Sequence, residues 1–130
     1  MPTFSKQERL CSQRDIQLIF KQGKSIKAYP FFLNYRLIDT PDSGKIKVVI
    51  MVSKRKYKLA TDRNRIKRVI RELYRKHKFI IYDGFVVPQG KELHIGISYI
   101  ASSLLPETKR ESSFSWAIKS VTNELQKTIS

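Results

Sequence analysis

Cysteine is almost absent from this chain of 130 residues: Cys11 stands alone, so no internal disulfide can form. That fits a reducing compartment, and Cys11 is expected to be a structural thiol. Histidine is nearly as scarce, with only His77 and His94. The two are not at metal-ligand spacing and no Cys or acid cluster completes a set, so they are expected to be a basic residue at a helix end and an outward-facing strand residue. Acids number 11 against 26 Lys and Arg and are scattered, which leaves neither paired carboxylates nor a two-metal constellation. A nucleophile elbow and a glycine-rich phosphate loop are also missing. Catalysis by this chain alone is therefore disfavoured, and no protein-bound cofactor is expected. No apolar run approaches the ~18 residues of a membrane span, and the N-terminus has no basic region followed by an apolar core. A cytoplasmic protein without a membrane partner is expected. No repeat, low-complexity segment or obligate protein partner is evident.

What is present argues for one folded domain over residues 1–130. Hydrophobic residues make up 41%, including seven Phe and six Tyr, enough for a single core despite the high charge. Residues 1–11 are polar and irregular and are expected to be mobile, with Phe4 and Leu10 as the only anchors.

The positive charge is concentrated. From Lys54 to Lys78 there are twelve Lys or Arg against two acids, a net +10 out of the +15 of the whole chain. Residues 60–75 carry most of it on a helical pattern, with Thr61 as the expected N-cap and Asp62 in the first turn. Ile66, Val69, Ile70, Leu73 and Tyr74 recur at helical spacing and predict a packed stripe. Arg63, Lys67, Arg71 and Arg75 climb another face, with Asn64 and Arg68 beside them. A solvated helix face would explain mixed charges, but here only Glu72 dilutes the positive ones. Uncompensated like charge destabilises the fold by self-repulsion, so a polyanion that relieves it is the better explanation. Arginine predominates, and its planar fork suits phosphate.

The run Arg63-Asn64-Arg65-Ile66-Lys67-Arg68-Val69-Ile70-Arg71-Glu72, preceded by Val52-Ser53-Lys54, resembles the signature of the bacterial ribonuclease P protein family. The similarity extends to Arg9-Leu10 and to Phe20, Lys21, Gly23, Lys24 and Ser25. Two departures stand out: Arg55 to Leu59 replaces a shorter, glycine-containing loop, and Ile16 stands where Phe is frequent. The resemblance implies a protein subunit that assists a catalytic RNA in removing the 5′ leader of precursor tRNA. It implies RNA-subunit contacts from Lys54, Arg55, Lys56, Arg63, Asn64, Arg65, Lys67, Arg68, Arg71 and Arg75. It also implies a leader-binding cleft between the first helix and the sheet, with Phe20 as the best-matched residue and Phe31, Phe32, Asn34 and Tyr35 as candidates. Magnesium would act through the RNA subunit. The rival reading is a non-catalytic binder of structured RNA, ribosome-associated or similar, followed by a DNA-binding protein.

Along the chain, Ser12 is expected to cap a helix over residues 13–22, with Asp15 in the capping-box position and Gly23 as a left-handed stop. A short strand over 24–27 and an alternating strand over 31–38 follow. The turn formers of residues 39–44 predict a hairpin onto a strand over 45–53. Residues 78–87 read as either a helix end or a hairpin around Asp83-Gly84. A strand over 92–101 and a helix over 107–129, with Phe114, Ile118, Val121 and Leu125 as its stripe, complete the chain. The order helix-strands-helix-strand-helix predicts an α+β two-layer sandwich: about four strands in a small mixed sheet, with three helices. The family resemblance adds a left-handed crossover.

Overall fold

The computed structural model describes residues 8–41 and 45–129, with the backbone alone at Ile129; the expected anchor Phe4 lies outside them. The elements are α1 (Gln13–Gln22), β1 (Lys24–Ala28), β2 (Phe31–Asp39), β3 (Lys45–Val52), α2 (Ala60–His77), α3 (Phe79–Gly84), β4 (Lys91–Tyr99) and α4 (Glu107–Ile129). The fold is α+β with a four-stranded mixed sheet, as expected, in the order β1-β2-β4-β3.

That order corrects the predicted hairpin between β2 and β3. The last strand, β4, is inserted between them, antiparallel to β2 and parallel to β3. Turn residues signal that the chain reverses; they do not say which strand will fill the gap. The central place of β4 follows from its burial on both faces, since Leu93, Ile95 and Ile97 are fully covered on one side and His94 on the other.

Register assigns the two faces. Phe31, Leu33, Tyr35 and Leu37 lie opposite Tyr99, Ile97, Ile95 and Leu93, which in turn lie beside Val52, Ile50, Val48 and Ile46. This face joins Ile66, Ile70, Leu73 and Tyr74 of α2, Ile81 of α3, and Phe114, Ile118, Val121 and Leu125 of α4 in one core. Both predicted helical stripes therefore pack as read, with Val69 only half buried at the margin of its stripe. Phe31 sits at the centre, edge-on to Tyr99 at 5.6 Å and to Phe114 at 5.3 Å between ring centroids. Such pairs add about 0.5–1.5 kcal/mol beyond area burial.

Helix α1 covers the opposite face. Ser12 caps it, its Oγ accepting from the Asp15 N–H at 3.3 Å. Gly23 ends it in an extended conformation, φ −78° and ψ 161°, not the expected left-handed one. Glycine is needed there for space: a Cβ would lie 2.3 Å from the Ile19 carbonyl oxygen and 2.7 Å from that of Tyr35. Residues 78–87 resolve in favour of the helix end. Lys78 keeps helical geometry, α3 follows α2 directly, and the Phe85 N–H closes the turn on the Ile81 carbonyl at 2.8 Å.

The N-terminal segment is docked from Glu8 onward. Arg9 bridges Val48 in parallel, and the Leu10 N–H donates to the Val48 carbonyl at 2.9 Å. Glu8 accepts from Lys78 Nζ at 3.0 Å and from the Tyr82 hydroxyl at 3.3 Å. Burial, reinforced by the Glu8 carboxylate, pushes the Tyr82 hydroxyl up to about 12. Cys11, expected to be a structural thiol, is exposed beside this strap.

Candidate nucleic-acid interface

The basic surface begins in the loop that leads into α2. The Ser53 hydroxyl accepts from the Arg55 and Lys56 amides at 3.2 and 3.3 Å, and the buried Tyr57 hydroxyl donates to the Ala101 carbonyl at 2.6 Å. Lys56 Nζ donates to the Ile100 carbonyl. Arg63 Nη1 donates to the Tyr57 carbonyl at 2.7 Å and the Lys58 carbonyl at 3.0 Å. Lys56 and Arg63, expected at the RNA contact, thus also fasten the loop. This anchoring explains the corrected helix start: Leu59 is the N-cap without a side-chain bond, and Thr61 already lies in the first turn. Asp62 still places negative charge there, where the helix dipole favours it.

Farther along α2 the expected cationic face divides. Arg75 donates to Glu72 at 2.8 Å, and this bond holds the Glu72 carboxyl below its usual range. Lys76 and His77 contact Glu111 of α4 at 3.4 and 2.7 Å, and the His77 bond likewise lowers the Glu111 carboxyl. The C-terminal end of the helix is therefore stitched into the fold. Arg65, Lys67, Arg68 and Arg71 form no ion pair among the described residues. Arg65 and Arg68 are exposed beside Asn64, with Lys54, Arg55 and Lys58 at the loop end. Lys67 and Arg71 line a groove of about 260 Å³ with Arg9, Leu10 and Val49 at the β3 edge. The uncompensated charge thus reaches around that edge toward the α1 face.

On the α1 face, register brings Phe32, Asn34 and Arg36 of β2 against Ser98, Gly96 and His94 of β4, and these against Met51, Val49 and Lys47 of β3. Ile19 of α1 is fully buried and sits over Gly96. Phe20, the next residue, is 46% exposed. Phe20, Phe32 and Asn34 are therefore compatible with one cleft between α1 and the sheet. Phe31 and Tyr35, expected with them, are not: both are buried on the opposite face, where Glu124 of α4 adds to the effect of burial in raising the Tyr35 hydroxyl. Strand alternation forces the separation, because odd and even residues of β2 face opposite ways.

Two features of this face were not read from the sequence. His94 is fully buried, correcting its expected outward position, and a 2.7 Å hydrogen bond joins its Nε2 to Glu92, which Lys47 approaches at 3.6 Å. By register, Arg36, His94 and Lys47 form one row across three strands. Asn34 Oδ1 and His94 Nδ1 have no hydrogen-bond partner among the described residues. Gly96 is the second feature. A Cβ there would lie 3.2 Å from Met51 Cε, a tight contact, and 3.6 Å from Ile19 Cγ2, an ordinary one, so anything larger than a methyl group would meet α1. Gly96→Ala should be tolerated as Met51 swings aside, whereas Gly96→Leu should lift α1 and destabilise the protein by about 1–3 kcal/mol in thermal unfolding.

Fold and surface together define a small α+β protein whose unpaired cations cluster along one helix and the adjoining sheet edge. The sequence matches the ribonuclease P family over residues 4–99. It is 34% identical over 109 residues to the ribonuclease P protein component of Porphyromonas gingivalis strain W83, covering 82% of this chain and 77% of that protein. To the Thermotoga maritima component it is 39% identical over 92 residues, 68% of this chain and 75% of the other. The structure of the T. maritima RNase P protein superposes with a TM-score of 0.50 at 27% identity, covering 92% of this chain and 96% of that one. The Staphylococcus aureus RNase P protein gives 0.56 at 24%, covering 91% of each chain, a likeness of fold alone. This chain belongs to the ribonuclease P protein family. As a member, it is a protein component of that endoribonuclease.

Proposed function

We propose that the chain acts as the subunit that assembles with the catalytic RNA of ribonuclease P through α2 and its preceding loop, and holds the 5′ leader of precursor tRNA on the α1 face of the sheet. The observation that carries the proposal is the family match over residues 4–99, which spans both the unpaired cations of α2 and the cleft beneath α1. Arg65, Lys67, Arg68 and Arg71, with Asn64 and with Lys54 and Arg55 in the loop, take phosphates of the folded RNA. Lys56 and Arg63 contribute their remaining donors, and Arg75 contributes where Glu72 leaves it free.

In the cleft, Phe20 and Phe32 offer rings on which unpaired bases stack. Asn34 is buried on the same face as Phe32, and its Oδ1 takes no hydrogen bond from the described residues. In this proposal hydrolysis of the phosphodiester belongs to the RNA, and magnesium acts through it. No described helix is long and apolar enough to cross a membrane, and a cytoplasmic site of action is part of this proposal.

The test is cleavage of precursor tRNA by catalytic RNA at low magnesium, with and without the protein. Restoration of cleavage by the protein is expected. Binding of the RNA without any gain in cleavage would favour the rival reading, a structured-RNA binder outside ribonuclease P.

A further inference from the structure

The outer end of β1 and the solvent face of α4 bring two bare aromatic rings to one place. Tyr29 is 51% and Trp116 56% exposed, and both line an open pocket of about 310 Å³. Its other lining residues are Ala28, Lys109, Ser112 and Ser113. Ala28 and Ser113 are small and buried, so the concavity exists because nothing large fills its floor. None of the lining residues is a carboxylate, and Lys109 is exposed without an ion pair among the described residues. A single exposed ring needs no explanation; two rings around a concavity with a cation at its rim form a recognition surface. Trp116 also lies beyond the stretch matched to the family.

Charge and position select the occupant. From Phe20 to Tyr29 the chain has Lys21, Lys24 and Lys27 and no acid. Lys24 and Lys27 are exposed on β1, an edge strand among the described residues; by register Lys24 lies on the α4 face beside Tyr35 and Lys27 on the α1 face beside Phe32. Basic side chains therefore flank this edge on both faces along roughly 17 Å, five residues at about 3.3 Å each, between the end of α1 and the aromatic pocket. The opposite edge is β3, where the unpaired cations of α2 lie. An RNA strand that leaves the catalytic RNA at the β3 edge and crosses the α1 face of the sheet alongside the helix reaches β1 last.

We propose that Tyr29 and Trp116 form a second stacking site for an unpaired RNA base, with Lys109 on the adjoining phosphate, and that it takes leader nucleotides distant from the cleavage point. This rests on the leader-binding function proposed above. Base–aromatic stacking tolerates any sequence, so the site would read the length of a leader and not its letters.

Trp116 is the only tryptophan in the chain, so its fluorescence reports the pocket directly. Single-stranded hexauridylate should quench it, duplex RNA of equal length should not, and Tyr29→Ala and Lys109→Ala should weaken the quenching without moving the thermal transition. Precursor tRNAs with leaders of about 4 and about 12 nucleotides, lengths within the span over which single-strand binders track a backbone, are then compared in the holoenzyme. Trp116→Ala should weaken binding of the long-leader substrate by roughly 5- to 100-fold and leave the short one unchanged. Phe20→Ala, measured alongside, should weaken both. Loss with Phe20→Ala but none with Trp116→Ala overturns the second site and leaves the cleft standing. No loss with either overturns leader binding itself. Quenching by an acidic peptide but not by RNA would also overturn the proposal and make the pocket a protein contact.

Discussion

Replacing Lys67, Arg68 and Arg71 together by alanine is expected to lower affinity for the catalytic RNA roughly 100-fold at moderate salt, at about 1 kcal/mol per screened phosphate contact. The dependence of log affinity on log salt should become shallower by about 2 to 3, since each lost phosphate contact removes about 0.7–0.9 from the slope. The thermal transition should hardly move. These three residues form no ion pair among the described residues, so their removal leaves no carboxylate without its partner; it even relieves repulsion along the helix. Arg63 is left out deliberately, because its guanidinium holds the carbonyls of Tyr57 and Lys58 and its loss would loosen the loop. Arg75 is left out because it is bonded to Glu72. Filter binding across a salt series, with thermal unfolding in parallel, makes the measurement. Undiminished affinity of the triple variant would remove this face from the RNA contact.

The contrast among these arginines shows what a sequence discloses. Periodicity located the stripe of α2 and that of α4, because a helical face that must be buried leaves a repeating apolar pattern which no neighbour can alter. It also placed the charge. It could not say that Arg63 turns back onto the preceding loop or that Glu111, more than thirty residues downstream, draws Lys76 and His77 toward α4. Those pairings depend on how elements far apart in the chain come together. The same limit explains the β2–β3 connection. The turn residues read at 39–44 lie partly outside the described residues, and sheet order depended on β4, whose burial on both faces suits the middle of a sheet more than an edge. His94 was assigned outward because alternation with Leu93 and Ile95 suggested one buried face. Helix α1 covers the other face, with Ile19 buried over Gly96, two residues after His94.

The aromatic residues near the cleft lead to the second large expected effect, a division between two phenylalanines that the sequence placed together. Phe31→Ala should destabilise the protein by about 3–5 kcal/mol, because the ring is fully buried against Tyr99 and Phe114 and its loss leaves a cavity in the main core. For a domain of this size that corresponds to a fall of roughly 10–20 °C in the thermal transition. Whatever RNA binding it loses should be lost for precursor and mature tRNA alike. Phe20→Ala should do the reverse. With nearly half its surface already in water, the Phe20 ring has little burial to forfeit, so the transition should stay close to that of the parent protein. Affinity for precursor tRNA should drop by about 1–3 kcal/mol, the worth of one base stack, while mature tRNA, which has no leader, should bind as before. Phe32 is the intermediate case: half buried on the same face as Asn34, it should show a smaller stability loss than Phe31 together with a loss specific to the precursor. Measuring all three variants by thermal unfolding and by binding to both tRNAs separates packing from recognition. A Phe20 variant as unstable as the Phe31 variant, or one that loses both tRNAs equally, would return Phe20 to the core and leave the cleft without its principal ring.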